Sequence, residues 1–505
     1  MLSSHAAADA GRLRQAEALP AVRPQLMIGG SWRDASDRGT FPVENPATGE
    51  VLSWVADATP QDAIEALDAA SGVQASWALK DPRDRAEILR RGYERLVTQT
   101  DRFAQVISME MGKSVHEARG EVAYAAEFLR WFSEEAVRVH GRYQRAPAGP
   151  LRHLISKKPV GPCLLITPWN FPLAMITRKV GPAVAAGCAM VLKPAELTPL
   201  TAALFVSLME EAGLPPGVLN LVSTTRAQDV VGALLADRRL RKVSFTGSTR
   251  VGRTILAGAA ANVLRTSMEL GGNAPFIVFE DADLDAAVEG AVQAKLRNMG
   301  QACTAANRFL VHRAVAASFV DRLRDRFAAL SAAGGASDGE IMGPLISATA
   351  RTNVHRMVED AVDRGAALVL GGGIPAGPGH FYPPTILLDV RPGSRVLSEE
   401  IFGPVAPIQQ FSDDREAIDL AMDSELGLAA YAYTRDLDRT LRLQDELQTG
   451  MLGINTGLIS DPAAPFGGVK QSGLGREGGA EGIEEYLTTQ YVGVRQAAPS
   501  PSDPP

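Results

Sequence analysis

The sequence has few cysteines and no recognisable metal-binding pattern. Only 3 cysteines, Cys163, Cys188 and Cys303, occur among 505 residues, without a CxxC pair or a His/Cys cluster at metal-ligand spacing. A disulfide framework and a structural zinc site are therefore not expected. Because such cysteine usage is typical of a reducing compartment, we expect a cytoplasmic protein without a bound metal.

Clustered positive charge and membrane-spanning segments are also missing. The 51 Lys and Arg residues are outnumbered by 58 Asp and Glu, and no basic run could follow a phosphate backbone. Nucleic acid is therefore not an expected partner. The uncharged stretch 159–177 is interrupted by prolines and an asparagine, which argues against a spanning helix and a membrane partner. Residues 1–24 lack the apolar core of a signal peptide, so we interpret them as a mobile extension, and the proline-rich residues 496–505 as a disordered tail.

Short apolar runs alternate with helical patterns along most of the chain. The runs PCLLIT, AMVLKP, VLNLV and RKVSFTG are continuously apolar or β-rich, as strands covered on both faces are. The segments between them repeat apolar residues at helical spacing. This alternation predicts a doubly wound α/β protein. A single core stops growing at roughly 250 to 300 residues, so a chain of this length should form two or three lobes.

Two of the predicted strand ends carry residues suited to a dinucleotide. The stretch SFTGSTRVGRTIL, residues 244–256, opens a helix whose first N–H groups suit a pyrophosphate. Its pattern is not GxGxxG, so a plain turn of small residues is the alternative. Lys193 and Glu196 follow another strand end, where a carboxylate can accept both ribose hydroxyls, the alternative being an exposed charge pair. The two motifs together favour a nucleotide site.

Three residues have the chemistry of a covalent reaction site. Asn170 lies between prolines that stiffen its loop, and a fixed amide can donate to an oxyanion, although such asparagines more often form turns. Glu269 precedes two glycines in an apolar segment, where burial should raise its pKa as a general base requires, unless a salt bridge pairs it. Cys303 lies among small and polar residues, whereas Cys163 and Cys188 lie in apolar segments typical of core thiols.

Seven motifs together resemble one enzyme family. In chain order they are TPWNFP, VLKPAE, FTGSTRVG, MELGGNAPF, GQACTAANR, SEEIFGPV and APFGGVKQSGLGREG. Over residues 25–495 the chain resembles the NAD(P)-dependent aldehyde dehydrogenase superfamily. Within it, RNMGQAC, GLGREG and GIEEYL are most similar to succinate-semialdehyde dehydrogenases.

The resemblance implies a fold of three parts. A Rossmann-like cofactor domain would comprise residues 25–140 and 160–270, and an α/β catalytic domain residues 271–465. A β-flap at 141–159 and the strand at 486–495 would pair with a neighbouring subunit in a homodimer or homotetramer. A two-stranded projection alone is only marginally stable, which favours such pairing.

The resemblance also implies a role for each matched residue. Cys303 would attack the aldehyde carbonyl, Asn170 and the Cys303 backbone N–H would hold the oxyanion, and hydride would pass to the nicotinamide. Glu269 would activate the water that hydrolyses the thioester, so the product would be a free acid. Lys179 and Glu477 match positions implicated in moving protons out of the site. A free thiol has a pKa of about 8.5, which leaves a few per cent thiolate at neutral pH.

For the cofactor, the resemblance implies NAD, with NADP as a possibility. Lys193 and Glu196 would bind the adenosine ribose, and the Glu196 carboxylate would repel the 2′-phosphate of NADP. The other residues expected to contact the cofactor are Thr167, Trp169, Gly247, Ser248, Glu400 and Phe402.

The resemblance further implies that two arginines bind a carboxylate of the substrate. Arg178 and Arg297 would clamp the distal carboxylate of succinate semialdehyde, and Ser460 would complete the clamp, since two guanidinium groups are costly without an anion. The alternative for Arg297 is a solvated helix residue. Glutarate semialdehyde and other small aldehydes stay open, because one methylene contributes only about 1 to 3 kcal/mol to discrimination. Acyl transfer to coenzyme A is disfavoured by Glu269, and a non-catalytic homologue by the complete catalytic set.

Overall fold

Two large β-sheets organise the computed structural model, which describes residues 22–332 and 341–495. The first sheet has 8 strands and the second has 7. The tail expected at 496–505, and the extension expected at 1–24 up to residue 21, lie outside the described residues. Within the described ranges, no helix is both long and apolar enough to cross a bilayer.

The strands are short and are distributed over the whole described chain. In chain order they are β1 Leu26–Ile28, β2 Ser31–Arg33, β3 Thr40–Glu44, β4 Val51–Ala56, β5 Arg142–Arg145, β6 Leu151–Pro159, β7 Cys163–Ile166, β8 Met190–Lys193, β9 Leu219–Leu221, β10 Lys242–Thr246, β11 Arg265–Glu269, β12 Ala274–Val278, β13 Ala306–His312, β14 Ser331–Ala332, β15 Ile341–Met342, β16 Ala367–Leu370, β17 Thr385–Leu388, β18 Val405–Phe411, β19 Leu426–Gly427, β20 Ala429–Tyr433, β21 Met451–Ile454, β22 Val469–Lys470, β23 Gly473–Leu474 and β24 Leu487–Arg495.

The helices fill the intervals between the strands. They are α1 Pro60–Ala78, α2 Pro82–Thr98, α3 Thr100–Met111, α4 Val115–Glu135, α5 Ala174–Ala186, α6 Pro199–Glu211, α7 Ala227–Ala236, α8 Thr249–Ala260, α9 Leu284–Leu296, α10 Ala316–Ala328, α11 Ala348–Asp363, α12 Arg395–Ser398, α13 Asp414–Met422, α14 Leu437–Glu446 and α15 Glu481–Glu484.

The first sheet confirms the doubly wound α/β class. Its strand order is β2-β1-β9-β8-β7-β10-β11-β23, and the run from β9 to β11 is parallel. The four predicted strands are β7 to β10, and their apolar character follows from burial on both faces. In β7, Cys163 and Leu165 pack into the core formed with helices α2 to α6, whereas Leu164 and Ile166 pack into the core shared with α1, α7 and α8.

The second sheet has the order β16-β17-β18-β13-β12-β20-β21, in which only the edge strand β16 is antiparallel to its neighbour. The chain passes from the first sheet to the second between the end of β11 at Glu269 and the start of β12 at Ala274. Loops that follow the carboxyl ends of parallel strands meet at one edge of a sheet. The loops after β7, β8, β10 and β11 therefore all lie at the same edge of the first sheet.

A third sheet projects from the chain and corrects one expectation. The strand β24 pairs with β6 of its own chain from Leu487 opposite Pro159 to Arg495 opposite Leu151, and β5 pairs with the other edge of β6. The flap therefore has three strands, because the last strand of the same chain pairs with it. A two-stranded flap, paired only with a neighbouring subunit, had been expected. Its exposed apolar side chains are Tyr143, Leu151, Leu154, Tyr491, Val492 and Val494.

Candidate active site

A cleft of about 900 Å³, including the part open to solvent, brings together residues from both large sheets. The residues singled out from the sequence that line it are Trp169, Asn170, Arg178, Gly247, Ser248, Arg297, Cys303, Glu400, Phe402 and Ser460. Residues more than 280 positions apart in the chain thus face one space. No group of His, Cys, Asp or Glu side chains within the described ranges could hold a metal ion.

Cys303 is presented by an unusual turn that follows α9. Asn298 and Met299 have left-handed φ values of 52° and 56°, a conformation that costs energy and is often found at functional sites. The backbone N–H of Asn298 donates to the Glu117 carboxylate at 2.7 Å, which helps to hold this turn. On the other side, a Cβ at Gly272 would collide with the Cys303 carbonyl oxygen, so only glycine permits this approach.

The protonation state of Cys303 differs from that of a free thiol. Burial raises the pKa of the Cys303 thiol to about 12, the Glu400 carboxylate adds to this, and the guanidinium group of Arg178 opposes it. The Cys303 thiol is therefore predominantly neutral at pH 7, with less thiolate than the few per cent of a free thiol. The thiol must therefore pass its proton to an acceptor when it reacts.

The side chain of Asn170 is held by the loop that carries Cys303. Its Nδ2 donates one hydrogen to the carbonyl oxygen of Gln301 at 3.0 Å, and a primary amide has a second hydrogen to give. Because Gln301 lies two residues before Cys303, this bond sets the amide beside the nucleophile's own loop. The arrangement can hold an oxyanion that forms at a carbonyl attacked by Cys303.

Glu269 is buried at the end of β11, and neither carboxylate oxygen has a hydrogen-bond partner among the described residues. Burial raises its pKa well above the usual range, the Glu477 carboxylate raises it further, and the Lys179 ammonium opposes both. A carboxyl group with a raised pKa and two unused acceptor atoms is suited to taking a proton from water.

The Glu477 carboxylate lies close to two cations of helix α5, Arg178 and Lys179. It lies 2.5 Å from the Lys179 ammonium and 3.7 Å from the Nη1 atom of Arg178. Lys179 also donates to the hydroxyl of Ser244 at 2.9 Å. All three groups of this ion cluster are buried, and burial without partners would be strongly unfavourable for each.

Some N–H groups of Arg178 make no hydrogen bond although Glu477 lies nearby. Arg178 is only 2% exposed, its Nη2 donates to the Tyr124 hydroxyl at 2.6 Å, and the Phe466 ring lies 4.0 Å from its Cζ atom. Its Nε and Nη1 atoms nevertheless lack hydrogen-bond acceptors among the described residues. Arg178 therefore lines the cleft with a guanidinium group whose Nε and Nη1 atoms make no hydrogen bond, although Nη1 lies 3.7 Å from the Glu477 carboxylate.

Arg297 lies at the end of α9 and lines the same cleft, so it is not a solvated helix residue. Its Cζ atom lies 5.1 Å from the centre of the Phe171 ring. Ser460 lines the cleft from the loop after β21. The two guanidinium groups and this hydroxyl thus converge on the space that Cys303 faces.

Strand ends of the first sheet carry the residues expected at the adenosine end of a cofactor. Lys193 is buried and lies 3.7 Å from the half-exposed Glu196 carboxylate, and burial lowers its pKa while Glu196 opposes the effect. Ser248 caps α8 by accepting from the Val251 N–H at 3.4 Å. Thr167 is buried, and its hydroxyl has no hydrogen-bond partner among the described residues.

The residues expected at the nicotinamide end surround Gly271 and Gly272. The Glu400 carboxylate accepts from the Gly272 N–H at 3.2 Å, and burial raises its pKa to about 7. Trp169 and Phe402 meet edge to face with their ring centres 5.4 Å apart, and both line the cleft. This part of the cleft offers aromatic walls and one carboxylate.

The sequence did not reveal several residues that hold the site together. Tyr124 contacts Arg178 from the middle of α4, Lys113 and Glu121 contact the loop of Asn170, and Glu117 contacts the turn of Cys303. Three of these residues belong to α4, and Lys113 lies just before it. Only the position of this segment in three dimensions identifies them.

Residues 32–492 match the model of the aldehyde dehydrogenase family, so this chain belongs to that family. It is 60% identical over 444 residues to the succinate-semialdehyde dehydrogenase of Paenarthrobacter nicotinovorans, which covers 88% of this chain and 99% of that protein. It is 47% identical over 470 residues to the glutarate-semialdehyde dehydrogenase of Pseudomonas aeruginosa, covering 93% and 97%. The crystal structure of an NADP-dependent enzyme of E. coli is 44% identical and superposes with a TM-score of 0.93, over 94% of this chain and 98% of that chain.

The raised pKa of Cys303 predicts how the protein without cofactor reacts with iodoacetamide. Because burial favours the neutral thiol, the rate of inactivation should rise about tenfold per pH unit from pH 7 to pH 10, without a plateau near the free-thiol value. Alkylation quenched at a series of times, followed by mass spectrometry of the Cys303 peptide, measures this rate. The Cys303→Ser variant is the control, since Cys163 and Cys188 are buried. A plateau near pH 8 would contradict the prediction.

Proposed function

We propose that this protein oxidises succinate semialdehyde to succinate, with NAD as the hydride acceptor. The observation that carries the proposal is Arg178, which is buried in the wall of the Cys303 cleft with unpaired N–H groups. An anionic group on the substrate would pair with them and with Arg297, which lowers the cost of burying both cations. The identity with a succinate-semialdehyde dehydrogenase supports this substrate.

In the proposed reaction, the substrate carboxylate binds Arg178, Arg297 and Ser460, which orients the aldehyde toward Cys303. The Cys303 sulfur bonds to the aldehyde carbon as its proton passes to solvent, and Asn170 Nδ2 with the Cys303 N–H stabilises the resulting oxyanion. Loss of hydride from this thiohemiacetal gives a thioester on Cys303.

Glu269 carries the second half of the proposed reaction. Its carboxylate takes a proton from a water molecule, whose oxygen attacks the thioester carbon. The C–S bond then breaks, the acid is released, and the Cys303 thiolate takes a proton from solvent to regain its thiol. Glu477 and Lys179 are near enough to influence the charge of Glu269. We propose that the Glu477 carboxylate, held by the Lys179 ammonium, receives this proton on its way out of the site.

The residues at the cleft fit a nicotinamide dinucleotide, which supplies the hydride acceptor when it is bound. The Thr167 hydroxyl and the open N-terminus of α8 at Gly247 and Ser248 leave hydrogen-bonding groups available for it. Glu196 and Lys193 would hold the adenosine ribose. Glu400, Phe402 and Trp169 would hold the nicotinamide end.

Glutarate semialdehyde is the second candidate substrate, supported by the relative that is 47% identical and carries that name. The carboxylate clamp would serve either chain length, since the two substrates differ by one methylene. A panel of four- and five-carbon semialdehydes and neutral aldehydes, each tested with NAD and NADP, would decide between them.

We further propose that residues 25–140 and 160–270 form the cofactor domain and residues 271–465 the catalytic domain, supported by the division of the two large sheets near residue 270. The three-stranded flap, with its exposed apolar side chains, suits pairing with a second copy in a homodimer or homotetramer. A monodisperse monomer in solution would contradict this assembly. Cysteine usage supports a cytoplasmic location.

Replacing Glu269 by glutamine should separate the two halves of the reaction. The amide cannot take a proton from water, so a rapid burst of NADH should persist while the steady-state rate falls strongly. Stopped-flow absorbance of NADH measures both phases. Loss of the burst by the same factor as the steady state would instead assign Glu269 to removing the Cys303 proton, before hydride transfer.

Replacing Arg178 or Arg297 by alanine should affect acidic aldehydes selectively. A charged hydrogen bond contributes roughly 1.5 to 3 kcal/mol, so each change should cost about 10 to 100-fold in kcat/KM for succinate semialdehyde, mostly through KM. Butanal, which has no carboxylate, should be nearly unaffected and serves as the control. Equal losses on both aldehydes, or a wild-type preference for butanal, would remove the carboxylate clamp and leave only the family assignment.

Glu196 should set the choice between NAD and NADP. Its carboxylate would lie close to the 2′-phosphate of NADP and repel it. We expect wild type to have the higher kcat/KM with NAD, and Glu196→Gln to improve kcat/KM for NADP more than for NAD. A wild-type preference for NADP would overturn this role of Glu196.

A further inference from the structure

The backbone carbonyl oxygen of Asn170 accepts hydrogen bonds from two buried side chains. The Lys113 ammonium lies 3.0 Å from this oxygen, and the Nδ2 atom of Asn298 lies 2.9 Å from it. Both side chains are about 1% exposed, and neither belongs to the cleft lining. A charged donor directed at a loop carbonyl is a strong hydrogen bond in such a dry environment.

Lys113 forms an ion pair with Glu121, whose carboxylate also accepts hydrogen bonds from the loop that carries Asn170. Its ammonium lies 2.5 Å from Glu121 Oε2, and Glu121 Oε1 accepts from the Leu173 and Ala174 N–H groups at 2.9 and 3.2 Å. Burial lowers the pKa of Lys113, and Glu121 opposes the change. The pair therefore holds the loop at Asn170 and again at the start of α5.

The same contacts connect this loop to that of the nucleophile. Asn298 Nδ2 donates to the carbonyl oxygens of both Asn170 and Gln301, and Gln301 in turn accepts from Asn170 Nδ2. The Lys113 ammonium also lies 3.9 Å from the centre of the Phe171 ring. A shift of the Asn170 carbonyl would therefore turn its side chain relative to Cys303.

We propose that Lys113, held by Glu121, is a positioning residue for the oxyanion hole: it fixes the Asn170 peptide so that the side-chain amide meets the developing oxyanion. The inference rests on the proposed function, in which Asn170 holds that oxyanion. Lys113 touches neither substrate nor cofactor, so its effect on the reaction passes through Asn170.

Replacing Lys113 by methionine keeps an unbranched side chain that is one atom shorter and removes the ammonium. Small displacements of positioned groups can cost up to about 10²-fold in rate, so kcat should fall about 10 to 100-fold. KM for succinate semialdehyde and the Kd for NAD should change by less than about threefold, because their contacts are unaltered.

A double-mutant cycle with Asn170→Ala decides whether Lys113 acts through Asn170. The Asn170→Ala change should lower kcat by about 10² to 10³-fold. In that background Lys113→Met should cost no more than about twofold further, because the group that it positions is already gone. If the full loss persists in that background, or if Lys113→Met leaves kcat of the wild type unchanged, the proposal is overturned. An Asn170→Ala variant with normal kcat would instead refute the proposed role of Asn170.

Two further variants separate positioning from stability. Lys113→Met leaves the buried Glu121 without its cation, so Lys113→Met/Glu121→Gln replaces it in the cycle if the single variant does not fold. Lys242 is the matched control, because it is another buried lysine, 3.4 Å from the Glu485 carboxylate and at the opposite end of β10 from the cleft. Lys242→Met should lower Tm but keep kcat within about twofold. A comparable loss of kcat in Lys242→Met would assign the Lys113 effect to stability and overturn the proposal.

Discussion

The relative positions of the reacting groups depend on the short crossing between the two large sheets. From the end of β11 at Glu269 to the start of β12 at Ala274, the chain passes beneath the Cys303 carbonyl and beside the Glu400 carboxylate. A Cβ at Gly271 would lie 2.6 Å from Glu400 Oε2, and one at Gly272 would collide with the Cys303 carbonyl oxygen. A side chain at Gly272 would meet backbone and one at Gly271 would displace the Glu400 carboxylate, so the crossing helps to fix Glu269, Cys303 and Glu400 relative to one another.

Burial of charge is the second determinant of the site. Glu269 and Glu400 have raised pKa values because protein surrounds them, and the Cys303 thiol is kept neutral for the same reason. Water-excluding surroundings strengthen each remaining electrostatic contact. Glu477 balances two cations of α5, but the N–H groups that Arg178 keeps unpaired leave room for an anion from outside.

The sequence predicted what depends on local pattern. The strands β7 to β10 were recognisable because alternate residues enter two different cores, which makes them apolar throughout. Cys303 stood out because its neighbours are small, and Glu269 because two glycines follow it. These signals lie within a few residues of each position and can be recognised without knowledge of the fold.

What depends on distant contact could not be predicted. Nothing near Lys113 in the sequence indicates that its ammonium meets a carbonyl 57 positions away. The pairing of β24 with β6 joins segments more than 320 residues apart, and the expected two-stranded flap was wrong for that reason. The pKa of Cys303 likewise follows from the surrounding protein, which the residue's own motif does not describe.

Under the proposed function, part of the substrate pocket comes from pieces of the chain that are remote from Glu269. Tyr124, Arg178 and Ser460 are carried by α4, α5 and the loop after β21, whereas Glu269 belongs to the crossing segment. Evolution can therefore alter the shape of this part of the pocket without moving the crossing. In a laboratory, Ser460 is therefore the position to redesign for longer or differently charged aldehydes, because it belongs neither to the turn of Cys303 nor to the crossing.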